Sequence, residues 1–313
     1  MSLLTTPSAV LAPVAEAPLQ QFLAGQLSER TRRAYKRDLL HFFGSEKTAL
    51  EEIRQITFND IVAFRNELAE SGYKRTTINR KLSSLKALFR MLLAAGLVDT
   101  NPADATLVRG YRVEENLTGK AISTQAIQSI LQAIQEEPDE LQRSRDEALF
   151  HLLTYGGLRR SEAANISWED LTQEGAFTVL RLPETKSGVP QDIKIQPIVS
   201  HHLSAYRRTL LAHGYEAQRK VFISLSRNQS HGKPLGDQSI NLIVKKYAKR
   251  AGLSRDVTAH MFRHTCCTLA IEGGAKPQQV QAHLRHKDLK TTMRYYENRE
   301  KLTDNASDYI HIA

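Results

Sequence analysis

His260-Met261-Phe262-Arg263-His264, then Leu284-Arg285-His286, then Thr291-Thr292-Met293-Arg294-Tyr295-Tyr296, is the stretch on which the reading of this chain turns. It gathers imidazoles, a guanidinium and a phenol into one short segment. A guanidinium grips phosphate through paired hydrogen bonds, an imidazole moves protons near neutral pH, and a tyrosine oxygen among cations can attack phosphorus. That combination points to covalent phosphodiester chemistry. Helix signals frame the stretch: Thr258 precedes a helix carrying His260, Gly273-Gly274 ends it, and Pro277 opens the next in a favourable first-turn position.

Working towards the amino terminus, helices are expected from about Ser239, with Lys245, Lys246, Lys249, Arg250 and Arg255 forming a basic cluster. Phe177 to Leu182 alternates and is rich in β formers, and a glycine-containing turn holding Thr185-Lys186-Ser187-Gly188 leads to Ile193-Lys194-Ile195. The pattern predicts a β-hairpin with a lysine near its tip. Lys194 is a lesser rival to Lys186, because the tip cannot be fixed from sequence. A helix from about Asp139 runs through Leu149, Phe150, Leu152 and Leu153 into Gly156-Gly157-Leu158-Arg159-Arg160-Ser161-Glu162. Two glycines break it and allow a tight turn, placing Arg159 at the mouth of the next helix.

A linker is expected over residues 106–120, where apolar periodicity fades around Gly110 and Gly119. Residues 19–105 read as all-helical. Ser28 caps a helix with Tyr35, Leu39 and Phe42 on one face and Arg32, Arg33, Lys36 and Arg37 on the rest. Thr57-Phe58-Asn59-Asp60 starts a second through Glu70, with Ile61, Phe64 and Leu68 in register. A third opens at Thr76 or Thr77, buries Ile78, Leu82, Leu85, Leu88 or Phe89, and Leu92, and stops at Gly96; Lys74 and Arg75 precede it, and Arg80, Lys81, Lys86 and Arg90 occupy its other face. Such charges often mark only a solvated helix face. Their gathering on two helices favours a surface that follows a phosphate backbone.

Residues 1–18 read as a flexible leader, since Pro7, Pro13 and Pro18 interrupt a moderately apolar run that lacks a basic start. At 313 residues the chain exceeds the usual span of a single core, so two domains are expected. The 43 Lys and Arg against 34 Asp and Glu leave a charge of +9, which hints at a polyanionic partner. The only cysteines, Cys266 and Cys267, are adjacent and poorly placed for an ordinary disulfide, so a reduced, cytoplasmic protein is expected. No stretch approaches the roughly 20 apolar residues of a bilayer span, and no membrane role is supported.

Taken in order, Gly157-Leu158-Arg159-Arg160-Ser161-Glu162, Lys186, His260-x-x-Arg263-His264, Leu284-Arg285-His286, and Tyr295 nine positions beyond His286 resemble the signature of the tyrosine recombinase or phage integrase family, in its compact Xer-like branch. The helical region ending in Asn101-Pro102-Ala103 is similar to that family's core-binding domain, so the resemblance runs from residue 19 over nearly the whole chain. It implies a mainly α fold with a small antiparallel β-hairpin or sheet (α+β): a SAM-like core-binding domain over 19–105 and a catalytic domain over 121–313, with a tail from about 302. It implies site-specific cutting and rejoining of DNA through a 3′-phosphotyrosine link and a free 5′-hydroxyl, without ATP, metal or other cofactor. The partners implied are double-stranded DNA bearing a recombination site and further recombinase copies, as a tetramer or a heterotetramer with a related chain.

The residue roles implied are Tyr295 as nucleophile, Arg159 and Arg263 on nonbridging phosphate oxygens, Lys186 as acid to the departing 5′-oxygen, His260 as base, and His286 on a phosphate oxygen. Arg32, Arg33, Lys36, Lys74, Arg75, Arg80, Lys81, Lys86, Lys245 and Lys246 are the expected DNA-contacting cations. Arg285 stands where the family usually has glycine and Glu297 where it often has histidine, departures outside the core chemistry. Tyr296 is the rival nucleophile.

Each residue alone has a structural reading: Arg159 beside Glu162 as a helix-start ion pair, the tyrosines as core aromatics, His264 as a brace. Their joint occurrence outweighs these. His260 and His264, with Cys266, Cys267, His283 and His286, invite a zinc-hydrolase reading, but Met261 stands where the zinc-protease helix motif needs glutamate. A type IB topoisomerase would share the site chemistry, and a silent architectural DNA-binding protein would share the charge. The compact core-binding region and the segment after Tyr295 favour the recombinase over both.

Overall fold

The computed structural model describes residues 17–113, 121–182, 190–216, 218–226, 229–254 and 256–303. The chain divides into two compact units, Met1–Glu115 and Asn116–Ala313.

The first unit is helical. Pro18 opens α1 (Pro18–Ala24) at the position where its missing N–H costs nothing. The Ser28 hydroxyl accepts from the Thr31 amide to start α2 (Glu29–Phe43), which stops at left-handed Gly44. A short α3 (Leu50–Arg54) precedes α4 (Phe58–Glu70), where Thr57 and Asp60 form the expected reciprocal cap. The last, α5 (Arg75–Ala94), starts one residue before the expected opening and has no side-chain cap. Its stripe of Ile78, Leu82, Leu85, Leu88, Phe89 and Leu92 is almost wholly buried, packed with Leu39, Ile53, Ile61 and Leu68 into one core. Asp38 of α2 is buried against α5, where Ser84 donates to it and Arg80 and Lys81 neutralise it.

The second unit begins with α6 (Thr124–Gln135), α7 (Glu140–Gly156) and α8 (Arg160–Asn165), followed by a 3-10 turn at Trp168–Asp170. An antiparallel sheet of β1 (Leu171–Glu174), β2 (Phe177–Leu182) and β3 (Gln191–Ile195) runs in that order, with Leu180 opposite both Leu171 and Ile193. The expected hairpin is therefore the β2–β3 pair, and β1 adds an edge strand the sequence did not announce. Then come α9 (Pro197–Ala212), α10 (Asp237–Arg250), α11 (Ala259–Glu272), α12 (Pro277–Leu284) and α13 (Leu289–Thr303).

The core of this unit is built on α7, whose Leu149, Phe150, Leu152 and Leu153 are at most 1% exposed. Phe150 meets Phe262 of α11 and Tyr247 of α10 edge-on. These contacts seat the helix that carries Arg263 against the helix that ends at the glycine turn. A satellite cluster of Cys266, Cys267, Ile271, Val280 and Leu284 holds α11 to α12, with Tyr295 and Tyr296 of α13 packed on it.

Candidate active site

The glycine turn is where α7 hands the chain to Arg159. Gly156 is the last helical residue, and Gly157 alone takes the left-handed conformation, at φ 54°. A Cβ at Gly157 would stand 2.4 Å from Leu284 Cδ2 and 3.1 Å from Cys266 Sγ. The bare backbone thus lets α11 and α12 approach the turn closely. Arg159 follows as the N-cap of α8, its amide donating to Glu162 Oε2 at 2.8 Å and its Nη1 to Glu162 Oε1 at 2.6 Å.

Arg263 is 5% exposed, and its guanidinium is anchored on backbone: Nη1 donates to the Gly157 carbonyl at 2.7 Å and Nη2 to the Leu284 carbonyl. Arg159 Nη2 reaches the carbonyl of the next residue, Arg285, at 3.4 Å. Two arginines that lie 104 positions apart in the chain are therefore anchored on consecutive carbonyls, immediately before His286. Burial, then the neighbouring Arg159 and Arg285 cations, pull the Arg263 pKa down to about 9, which leaves it charged at neutral pH.

Arg285 ends α12 in the left-handed conformation at φ 56°, the only non-glycine residue with positive φ among the described residues. That conformation costs roughly 1 kcal/mol for a side chain with a Cβ. The Arg285 side chain is 2% exposed; Nη2 donates to Glu162 Oε2 at 2.9 Å and Nη1 to the His283 carbonyl at 2.7 Å. Burial by itself would raise the Glu162 carboxyl, but Arg285 and Arg159 outweigh it and hold the group below its ordinary value. Although this departure was expected to lie outside the core chemistry, Arg285 contacts the site: its carbonyl receives Arg159, and its side chain shares Arg159's carboxylate.

His286 lies at the start of the link to α13, with Nδ1 2.8 Å from the hydroxyl of the buried Thr292. Burial and then the cations Arg263, Arg159 and Arg285 lower its pKa to about 4, so the ring is neutral near pH 7. In the tautomer in which Nδ1 accepts from the Thr292 hydroxyl, Nε2–H is left as a donor, the form that suits a phosphate oxygen. Sequence reading missed Thr292, although its place six residues after His286 was visible.

His260 is exposed at the start of α11, its ring edge-on to His264 at 4.6 Å. The Tyr295 hydroxyl meets Nδ1 of His264. Tyr296, the rival nucleophile, donates its hydroxyl to the Ala275 carbonyl. Lys186 lies outside the described residues, as do the tail from residue 304 and part of the linker. Lys194 is on β3 with its Nζ 4.3 Å over the Phe177 ring.

The expected DNA-contacting cations divide by their surroundings. Lys81 is 5% exposed and 3.7 Å from Asp38, where burial lowers its pKa; it is a core residue and leaves the exposed basic set. Arg80 also pairs with Asp38 but remains partly exposed. Arg32 caps the end of α1 through the Leu23 and Gln26 carbonyls, each at 3.1 Å. Arg33 and Lys36 are exposed beside Glu29 and Glu46, both at 2.6 Å. Lys74 and Lys86 lie on α5 or at its cap, and Arg75 stands 5.8 Å over Tyr111. Lys245 pairs with Asp256 at 2.9 Å and Lys246 with Glu137 at 2.7 Å.

The cysteine thiols are buried, which pushes Cys266 up to about 11 and Cys267 up to about 12 and leaves both protonated. Among the described residues no group of three or more His, Cys, Asp or Glu side chains is placed to hold a metal ion. No helix of the described residues is long and apolar enough to cross a membrane.

Arg159 and Arg263 are gathered next to His286 on helices around a small antiparallel sheet, the architecture of an integrase-type catalytic unit. The chain belongs to the phage integrase family: the model of that family matches residues 120–301, and the model of its N-terminal SAM-like domain matches residues 20–96. Its relatives are tyrosine recombinases. It is similar to tyrosine recombinase XerC of Listeria welshimeri, 31% identical over 88% of this chain and 91% of that protein. The XerC of Thermodesulfovibrio yellowstonii is 30% identical over 86% of this chain and 85% of its own length. In fold it resembles the XerH site-specific recombinase crystallised on its difH substrate, with a TM-score of 0.71 and 18% identity over 89% of this chain and 79% of that one.

Proposed function

We propose that this protein cuts and rejoins DNA strands at a specific recombination site, with Tyr295 as the nucleophile. The single observation that carries the reading is the anchoring of Arg159 and Arg263 on the adjacent carbonyls of Arg285 and Leu284, next to His286. A phosphorane-like transition state gathers negative charge on its nonbridging oxygens, and fixed guanidiniums in a partly buried site stabilise it without reorganising. Tyr295 attacks phosphorus to form the 3′-phosphotyrosine link while the 5′-oxygen departs with a proton from Lys186. Attack of a 5′-hydroxyl on that link reverses the step, so no ATP is consumed. His260 takes the tyrosine proton, and His264, in contact with the Tyr295 hydroxyl, orients the phenol.

The helical unit contributes Arg32, Arg33, Lys36, Lys74, Arg75, Arg80 and Lys86 to DNA contact, and the second unit contributes Lys245 and Lys246. A groove of about 720 Å³ lined by Ile127, Leu131, Leu269, Ala270, Val280 and Leu284 supports an assembly in which the tail of a neighbouring copy seats there, around a tetramer. The two free, buried cysteines agree with action in the cytoplasm. The test is incubation with a nicked suicide substrate, then a denaturing gel and peptide mapping. A covalent adduct on Tyr295 that forms in EDTA and disappears in Tyr295→Phe is the expected result; metal-dependent cutting with no adduct would overturn it.

A further inference from the structure

Arg285 occupies a position that does not suit it. It sits at φ 56°, where glycine is favoured, and its long charged side chain is 2% exposed with Nε unpartnered among the described residues. Something must offset a buried cation in a left-handed turn, and the geometry shows where it goes. Glu162 Oε2 takes Arg285 Nη2 at 2.9 Å and the Arg159 amide at 2.8 Å, while Oε1 takes Arg159 Nη1 at 2.6 Å.

Consider this network without the Arg285 side chain. The 3%-exposed carboxylate of Glu162 would then face Arg159 as its nearest partner, and one negative charge would cancel one positive charge. A neutralised Arg159 is a weak phosphate ligand, because the same carboxylate that orients it competes for its charge. With Arg285 present, two guanidiniums share one carboxylate. The local sum is one net positive charge before Arg263 is added, and the left-handed turn also sets the Arg285 carbonyl against Arg159 Nη2.

We propose that Arg285 is a positioning residue for strand cleavage: it offsets Glu162, so that Arg159 is held in place by the carboxylate yet keeps its charge for the scissile phosphate. This rests on the phosphotyrosine chemistry proposed above. It assigns Arg285 a role that the glycine usual at this place in the family cannot perform through a side chain.

The test uses the full chain on the nicked suicide substrate under single-turnover conditions, with duplex binding measured separately. Arg285→Gly suits the left-handed turn, so it is expected to fold, bind the site as the parent does, and form the covalent adduct about tenfold more slowly, the loss typical of one charged hydrogen-bond partner. Neutralising the unbalanced carboxylate in that background, as Glu162→Gln with Arg285→Gly, is expected to recover most of the lost rate. A merely structural arginine would not be rescued in this way. An unaltered rate in Arg285→Gly, or a slow rate that Glu162→Gln does not restore, overturns the role while leaving the chemistry intact. Failure of the unsubstituted protein to form any adduct overturns the chemistry and the role together.

Discussion

At the scale of single residues the two tyrosines separate by what their hydroxyls touch. Tyr295 meets a histidine one turn from His260, and Tyr296 meets the carbonyl of Ala275. Tyr296→Phe is therefore expected to keep adduct formation and lose only modest stability, about 1 kcal/mol for one hydrogen bond, as read by thermal melting. The opposite result, adduct lost in Tyr296→Phe and kept in Tyr295→Phe, would exchange their roles. His286 carries a pH signature. Its pKa falls from 6.5 when unfolded to about 4 in place, and that of His202 does the same, both chiefly through burial. Between those values the unfolded chain binds protons that the folded one refuses, so stability is intact above pH 6.5 and declines as pH falls towards 4. Glu137, held down to about 2, contributes stability that is lost only below its ordinary 4.5. Replacing His286 by Gln is expected to flatten the decline of melting temperature between pH 6.5 and 4.5; an unchanged slope would contradict it.

Among the elements, the α7 terminus bears the tightest constraint. Gly157→Ala adds a Cβ to a left-handed residue and drives it into Leu284, so a loss of about 2 kcal/mol is expected in urea unfolding. The same change moves the carbonyl that holds Arg263, so adduct formation should fall further than stability alone explains. Helix α5 shows what the sequence makes legible. Its buried stripe recurs every three or four residues, a local pattern that needs no knowledge of the rest of the fold. Strand β1 was invisible for the opposite reason: Leu171 is only partly buried and the three residues after it are exposed, leaving no alternation to read. Lys81 was misread because a lysine on a helix face usually points to water. Its burial depends on Asp38, on another helix and 43 positions away. Arg159 and Arg263 could be picked out from motif order, but their shared anchorage could not, since it depends on a left-handed turn at an arginine.

For the whole molecule, charge makes the broadest prediction. A surplus of nine cations over 313 residues, with Arg33, Lys36 and Lys245 exposed, implies binding governed by counterion release. Affinity for a duplex site should drop by roughly three orders of magnitude between about 50 and 200 mM salt, as measured by fluorescence anisotropy. Lys36→Ala should make that dependence shallower, whereas Lys81→Met, which alters a core cation, should change melting temperature and leave the salt slope alone. Equal effects on the slope would contradict this division of the basic residues.

The anchoring of Arg263 also sets an order of events during synthesis. Its two backbone acceptors, Gly157 and Leu284, lie 106 positions before it and 21 after it. A chain halted before α12 carries a guanidinium bound for the interior with one acceptor still unmade, and desolvating such a group is costly. Limited proteolysis of a chain ending at Lys276 is expected to cut within α11, and protection there would argue otherwise. On the proposed chemistry, a chain broken before α12 lacks both the Leu284 anchor of Arg263 and the tyrosine, and is expected to leave DNA uncut.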